Sequence, residues 1–313
     1  MAGRPSWKGP FRRLRQQRAR RAGSRIDAVE QRGRRAQWFL LAGRCERSGL
    51  TAPRPADLHP IYPPDDVFWA DPFCWSMDGQ FVVFFEEFPF ETRRGHISAI
   101  ALGPDGWPVA EPFRVLEEPY HLSYPFLLEV GGDLYMIPEK AGTRRVDLYR
   151  CVEFPRRWTL AKTLVAGLAL HDPTLFEHDG RWWLFCAAPS GRVRVNESLA
   201  GFHASDPCSD RWTAHPRNPL VRDFSRGRPA GRVLRLDDGT LVRPSQDCVR
   251  RYGHGLNLNA IDCLSPLRYE ERPIWHMSGE EAGGWRALHH LDWHRGMLVM
   301  DAQRLIPAPA TGP

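Results

Sequence analysis

Short apolar runs alternate with turn residues along most of this chain, and one arrangement is repeated. Asp71-Pro72-Phe73-Cys74-Trp75 leads through Asp78-Gly79 to Phe81-Val82-Val83-Phe84-Phe85-Glu86. This reads as a hairpin, because Asp-Gly suits a two-residue turn in which both central residues need positive φ. Tyr124-Pro125-Phe126 leads through Gly131-Gly132 to Glu139, and His171-Asp172-Pro173 leads through Asp179-Gly180 to Ala187. A looser copy runs from Arg228-Pro229-Ala230-Gly231 through Asp238-Gly239 to Gln246-Asp247. A weak fifth runs from His289-His290 through Arg295-Gly296 to Asp301. Pro72, Pro125 and Pro173 each stand seven residues before the turn glycine. Self-similarity at a period of about 50 residues marks a propeller or a solenoid. Five short sheets with turns throughout predict an all-β, five-bladed β-propeller.

The blades are expected at about 66–112, 113–160, 161–217, 218–275 and 276–307. Third strands are read at 96–101, 146–149, 201–204 and 256–261. The apolar run at 37–42 is expected to complete the last blade, since a terminal strand there removes a free sheet edge. Residues 1–36 then form a separate arm, 37–307 the propeller and 308–313 a tail.

Charge sharpens that division. The whole chain carries +6, but residues 1–36 hold twelve Lys/Arg against two Asp/Glu, so the arm carries +10 and the remainder −4. The arm has too few large apolar groups to offset the entropy of ordering, and it is expected to be disordered or partly helical, with a helix over 24–35. It reads as a solvated tail; weak contact with an anionic membrane surface is the alternative, and no specific nucleic-acid partner is expected. The seven cysteines are odd in number and none forms a CxxC pair, which argues against zinc sites and disulfide frameworks. A reducing, cytoplasmic setting is expected. No run of 18 apolar residues exists to span a membrane. No His/Cys ligand spacing recurs, so neither metal nor cofactor is expected.

An antiparallel hairpin returns the end of its second strand to the start of its first. The repeats therefore place Asp71 near Glu86, Tyr124 near Glu139, Asp172 near Ala187, Ala230 near Asp247 and His290 near Asp301. One polar cluster at a channel mouth follows: Asp71, Glu86, Tyr124, Glu139, His171, Asp172, Arg228, Arg243, Gln246, Asp247, His289 and His290. Each has a plainer reading as turn cap, solvated strand end, packed histidine or neutralising arginine. Their convergence is what favours chemistry, because crowded ionisable groups shift one another's pKa values. Two carboxylates flanking a bond are what glycoside hydrolysis needs. Asp71 and Asp172, in non-adjacent blades, face each other across the channel.

Several stretches resemble one family. They are Trp69-Ala70-Asp71-Pro72-Phe73, His121-Leu122-Ser123-Tyr124-Pro125-Phe126, Met136-Ile137-Pro138-Glu139, Asp172 through Phe185, Arg228-Pro229-Ala230-Gly231-Arg232, Arg243 through Cys248 and Arg251-Tyr252-Gly253. The family is the N-terminal domain of plant glucosamine inositolphosphorylceramide transferases and its bacterial relatives. That domain is similar to the five-bladed propellers of arabinanases, levansucrases and invertases. The resemblance implies carbohydrate chemistry on a surface glycan or glycolipid. It makes Asp71 base or nucleophile and lets Asp172 orient the sugar. Related glycosidases place a Glu acid at the start of blade four, where this chain has Arg228-Pro229-Ala230-Gly231; the acid then falls to Glu139, with Glu86 and Asp247 as alternatives. Glu86, Tyr124, His171, Arg228, Arg243, Gln246, Asp247 and His290 would bind a sugar or glycan, with an anionic group as one option. The plant proteins carry a separate glycosyltransferase domain and this chain ends before one. A non-catalytic glycan-binding propeller working with a partner glycosyltransferase is therefore the second reading.

Overall fold

The hairpins form as the turn residues dictate. Asp78-Gly79, Gly131-Gly132, Asp179-Gly180 and Arg295-Gly296 all have positive φ at both central positions, the geometry that matches the twist of the flanking strands. The computed structural model describes Gln16 and residues 31–309. The chain enters with β1 (Arg34–Arg44) and β2 (His59–Ile61). Blade 1 is β3 (Val67–Met77), β4 (Gln80–Pro89), β5 (His96–Leu102) and β6 (Phe113–Leu116). Blade 2 is β7 (Ser123–Val130), β8 (Asp133–Glu139), β9 (Arg145–Glu153) and β10 (Arg157–Ala166). Blade 3 is β11 (His171–His178), β12 (Arg181–Ala187), β13 (Ser198–Ala204) and β14 (Thr213–Ala214), with β15 (Val221–Arg222) beside β13. Blade 4 is β16 (Leu234–Arg235), β17 (Leu241–Asp247), β18 (Gly255–Leu264) and β19 (Tyr269–Ser278). Blade 5 is β20 (Ala287–His294) and β21 (Met297–Pro307), completed by β1 and then β2.

The fold is thus the expected five-bladed propeller, and the first strand closes the ring. β1 pairs with β21 from Arg34↔Pro307 to Arg44↔Met297, so no residue of either strand is left as a free edge toward the other. Of the expected helix at 24–35, residues 24–30 lie outside the described residues, 31–33 form a turn, and Arg34 already belongs to β1. The strand wins there because its apolar side chains are buried: Phe39 and Leu41 join the core between blades 4 and 5, and Leu40 joins that between blades 5 and 1. The largest core cluster fills the wedges between blades 1, 2 and 3 with Phe73, Phe84, Phe126, Leu127, Leu148 and Leu184. No helix among the described residues is long and apolar enough to cross a membrane.

One departure from simple hairpin arithmetic positions the site. The ladder slips between Ala70 and Phe73, between Ser123 and Phe126, and between His171 and Thr174. Each slip contains an X-Pro pair, and proline has no N–H to give to the ladder. The residue before the proline adopts positive φ: 54° at Asp71, 46° at Tyr124 and 53° at Asp172. Such conformations are uncommon outside glycine and cost of order 1–3 kcal/mol each. A β-bulge of this kind re-aims a side chain. Here it moves the register by one, so Glu86 faces Ala70 and Glu139 faces Ser123.

Candidate functional site

The amides at the bulges decide where the neighbouring acids go. The Asp71 N–H donates to Asp301 Oδ2 of blade 5 at 2.9 Å, and the Asp172 N–H donates to Glu139 Oε2 of blade 2 at 3.0 Å. In blade 4 the equivalent amide, Gly231 N–H, donates to the Tyr124 hydroxyl at 3.0 Å. Gly231 has φ of 132°, and a Cβ there would lie 1.8 Å from the Leu291 carbonyl oxygen. Blades 1, 3 and 4 are therefore each latched to another blade through a side chain, and these latches bring the mouth residues together.

A cavity of about 240 Å³ opens at that mouth, lined by Trp38, Phe68, Asp71, Glu86, Phe88, His121, Glu139, Arg228, Tyr252 and His289 among others. Its charges fall into two groups. In the first, Arg228 donates Nε and Nη2 to the two oxygens of Asp172 at 2.6 and 3.2 Å, and Nη1 to Asn196 Oδ1 at 2.9 Å. Its guanidinium also lies 4.9 Å from the Tyr252 ring centroid. Burial opposes the charge on Arg228, yet Asp172 holds its proton well above the usual range. Glu139 Oε1 pairs with His171 Nδ1 at 2.9 Å. Burial works against ionisation of Glu139, but His171, Arg228 and the Asp172 side chain hold its pKa down to about 2. Every acid in this group has a cation.

The second group is Asp71 and Glu86. Burial pushes Asp71 up to about 7, with Asp301 and Asp172 adding to the shift and His289 and Arg228 opposing it. Burial also raises Glu86 well above the carboxylate range, reinforced by Asp71, Glu139 and Asp301. His121 Nδ1 accepts from the Gly95 N–H at 2.9 Å, so in the neutral ring its proton sits on Nε2, 3.5 Å from Glu86 Oε1. Burial lowers the His121 pKa, which keeps that ring neutral. Gly95 is needed for this approach: a Cβ would lie 2.8 Å from Glu86 Oε1.

His289 stands behind Asp71. Its Nδ1 bonds Asp301 Oδ1 at 2.8 Å, its ring stacks on Trp38 with centroids 4.0 Å apart, and its Nε2 lies 3.5 Å from Asp71 Oδ1. Asp301 also accepts the His289 and His290 amides, and despite burial these partners hold its pKa low. Asp71, His289 and Asp301 offer three ligand atoms within 4.8 Å of one another. His289 and Asp301 already use one another, which makes the trio a hydrogen-bonded chain as it stands.

The residues read from the sequence are thus not all at the pocket. Asp71, Glu86, Glu139, Arg228 and His289 line it, Asp172 lies buried behind Arg228, and His171 sits beside Glu139 at the rim. Tyr124 lies under the floor, its hydroxyl bonded to Thr174 Oγ1 at 2.7 Å. His290 is wedged against Phe73 and Tyr124, and burial pulls its pKa down to about 3. Arg243 turns away into blade 4 and makes a two-point bond with Glu271, both 2.8–2.9 Å. Gln246 braces the Arg228 segment, its N–H donating to the Arg228 carbonyl and its Nε2 to the Pro229 carbonyl. Asp247 pairs with His276 on the rim. The hairpin arithmetic set strand ends side by side but not the direction of each side chain. It also missed the aromatic wall of Trp38, Phe68, Phe88 and Tyr252, and His121. These lie outside the repeated hairpin core; Tyr252, in the stretch Arg251-Tyr252-Gly253, and His121, at the start of His121-Leu122-Ser123-Tyr124, carried a signal through the resemblance.

Comparison with known proteins agrees with this architecture. Residues 61–306 match the family model described as glucosamine inositolphosphorylceramide transferase 1, N-terminal. The chain is 33% identical over 258 residues to glucosamine inositolphosphorylceramide transferase 1 of Oryza sativa subsp. japonica, covering 78% of this chain and 34% of that protein. It is 32% identical over 234 residues to the Arabidopsis thaliana protein of the same name, covering 72% and 30%. The chain therefore spans about a third of the length of these curated relatives. In shape it is similar to the catalytic domain of a GH62 α-L-arabinofuranosidase from Coprinopsis cinerea, with 12% identity, a TM-score of 0.56 and coverage of 78% of this chain and 94% of that one. It is also similar to a family 117 glycoside hydrolase from the marine bacterium Zobellia galactanivorans, with 10% identity, a TM-score of 0.54 and coverage of 90% and 92%. These two likenesses show the fold. The match over residues 61–306 shows the family: the chain belongs to the N-terminal domain family of glucosamine inositolphosphorylceramide transferase 1.

Proposed function

We infer that the channel-mouth pocket binds a sugar and carries out acid–base chemistry on its glycosidic bond. The observation that supports this best is the pair Asp71 and Glu86: two buried carboxyls whose pKa values burial raises, with His289 and His121 each 3.5 Å away, in a pocket walled by Trp38 and Tyr252. A carboxyl raised well above its usual range, as Glu86 is, holds a proton to give near neutral pH, and one at about 7, as Asp71 is, has an ionised fraction that can accept one. In the hydrolytic form, Asp71 takes a proton from water as the water oxygen attacks the anomeric carbon. Glu86 gives its proton to the leaving oxygen as the carbon–oxygen bond breaks. The acid role passes from Glu139 to Glu86, because a carboxylate held near 2 by His171 has no proton to give. Asp172 acts through Arg228, which fixes the Tyr252 face of the pocket. Arg228 is committed to Asp172 and Asn196, so the pocket favours a neutral or amino sugar over an anionic one. The protein is proposed to work in the cytoplasm.

The test is a screen of glycans, sugar nucleotides and glycolipids on purified protein, with Asp71→Asn and Glu86→Gln as controls. The reading expects turnover that both substitutions abolish. One observation favours a second reading, a non-catalytic glycan-binding propeller serving a partner glycosyltransferase: Arg228 stands where the resemblance leads one to expect a blade-four carboxylate. That reading predicts sugar binding that survives Asp71→Asn, without turnover in either form.

A further inference from the structure

His289 and His290 stand side by side where the β20–β21 ladder slips, yet only the His289 ring is bonded to an anion. Asp301 accepts four N–H groups: the Asp71 amide on Oδ2, and on Oδ1 the amides of His289 and His290 and the His289 ring. Burial opposes its charge, but these partners keep Asp301 ionised. An ionised carboxylate has no proton to give, so the ring is the donor. Nδ1 of His289 therefore keeps its hydrogen in both charge states, and Nε2 is the nitrogen that gains and loses one. Nε2 lies 3.5 Å from Asp71 Oδ1.

The surroundings hold the ring in that direction and decide its charge. Trp38 stacks on it, and Tyr252 meets it edge-on with centroids 5.2 Å apart. Burial and Arg228 oppose a charge on His289, but Asp301 and Asp71 outweigh them and raise its pKa. His290 Nδ1 lies nearly as close to the same oxygen of Asp71, at 3.6 Å. Its ring packs against Phe73 and Tyr124, and burial keeps it neutral, so it does not compete for the proton.

We propose that Asp71 and His289 share a single proton, and that Asp301 holds the imidazole that receives it. A proton that Asp71 takes from water passes on to Nε2: the Asp71 O–H bond breaks as the N–H bond forms. Asp71 is left a carboxylate beside an imidazolium. His289 then releases the proton to solvent, and solvent refills Glu86, so the cycle balances without a further reactant. The present 3.5 Å exceeds the roughly 2.6–3.2 Å of direct transfer, and such contacts tighten when substrate fills a site. His289 and Asp301 act through Asp71 and are positioning residues. The role of Asp71 as base rests on the sugar reading given above; the shared proton rests on the geometry of the trio.

The experiment is NMR on the full chain, with 15N in histidine and 13C in aspartate, titrated over roughly pH 4–9. The His289 ring is assigned by its contact with Trp38. Nδ1 is expected to stay protonated throughout while Nε2 titrates alone, and the Asp71 carboxyl should shift at the same midpoints, as coupled sites do. Asp71→Asn should lower the Nε2 midpoint by about one pH unit or more. A bare Nδ1 in the neutral ring overturns the proposal, as does an Nε2 midpoint that Asp71→Asn leaves in place. Where the glycan screen finds turnover, His289→Gln should move the rise of kcat with pH to higher pH, because Asp71 loses the charge that favours its ionised form. A packing role alone would not move that rise, and an unmoved rise also overturns the proposal. If the titrations come out as expected but no substrate turns over, the shared proton stands and the sugar reading falls. If Asp71→Asn abolishes turnover but leaves Nε2 indifferent, the sugar reading stands and the shared proton falls.

Discussion

Blades 1 and 3 place an aspartate in the same bulge, and blades 1 and 2 place a glutamate at the same strand end, yet these acids meet opposite surroundings. Asp172 and Glu139 are answered by Arg228, His171 and a backbone amide. Asp71 and Glu86 face each other's charge, with His289 and His121 at 3.5 Å as their nearest partners. The same hairpin thus yields, on one side of the mouth, a latch in which Arg228 binds Asp172 and Glu139 is held down although burial still raises Asp172, and on the other a pair in which both carboxyls are raised. Position comes from the repeat; chemistry comes from what the neighbouring blade supplies.

That contrast predicts a wide spread of mutational effects. Arg228→Met leaves Asp172 buried without its cation and should cost about 3–5 kcal/mol, read from denaturant midpoints. If it costs no more than Glu86→Gln, the two sides are not different in kind. Asp71 should show the reverse sign. Its folded pKa, about 7, is raised above the ordinary 3.8, so its proton contributes stability that is complete below about pH 4 and is lost as pH rises through 7. Asp71→Asn should flatten stability between pH 4 and 7 and leave the variant about 2–4 kcal/mol more stable at neutral pH. Unchanged pH dependence would remove the argument that Asp71 is strained.

Glu139→Gln should cost about 1.5–3 kcal/mol, the usual worth of hydrogen bonds to a charged group. Because the Glu139 pKa is depressed from 4.5 to about 2, its contribution is present above about pH 4.5 and is lost as pH falls toward 2. The acid limb of the stability profile should be shallower in the variant. The smallest effect belongs to Asp247→Asn. Its partner His276 is 44% exposed, and such pairs contribute under about 1 kcal/mol. Sugar binding should be unaffected, since Asp247 does not line the pocket; a clear loss would return blade 4 to the site.

Much of the architecture was legible along the chain. Asp78-Gly79, Gly131-Gly132 and Asp179-Gly180 announce turns through local φ demands, and the run at 37–42 announces a strand that has to close a ring. These are short-range properties. The site was legible only in part: Asp71, Glu86 and Glu139 were found because they recur at fixed distances from a turn, and Arg228 because it opens the looser fourth copy. Arg243 was misplaced, because register says which residues are neighbours and not which way a long side chain turns. Arg243 turns to Glu271 on β19, two strands outward. Trp38 and His121 were missed because they sit in a terminal strand and an inter-blade link, outside the repeat.

Turn chemistry, hydrophobic spacing and the prolines before the first three turns were enough to set five blades, their order and the face on which the acids emerge. Folding alone settled which acids were bonded to a guanidinium or an imidazole and which were not. Asp71 meets Asp301 across 230 residues of chain, and Asp172 meets Arg228 across 56. Burial then multiplies whatever charge happens to lie opposite. A pattern of residue types contains no record of that opposition; it comes into being only when the ring closes and one blade's amide, imidazole or guanidinium is set against the next blade's carboxylate.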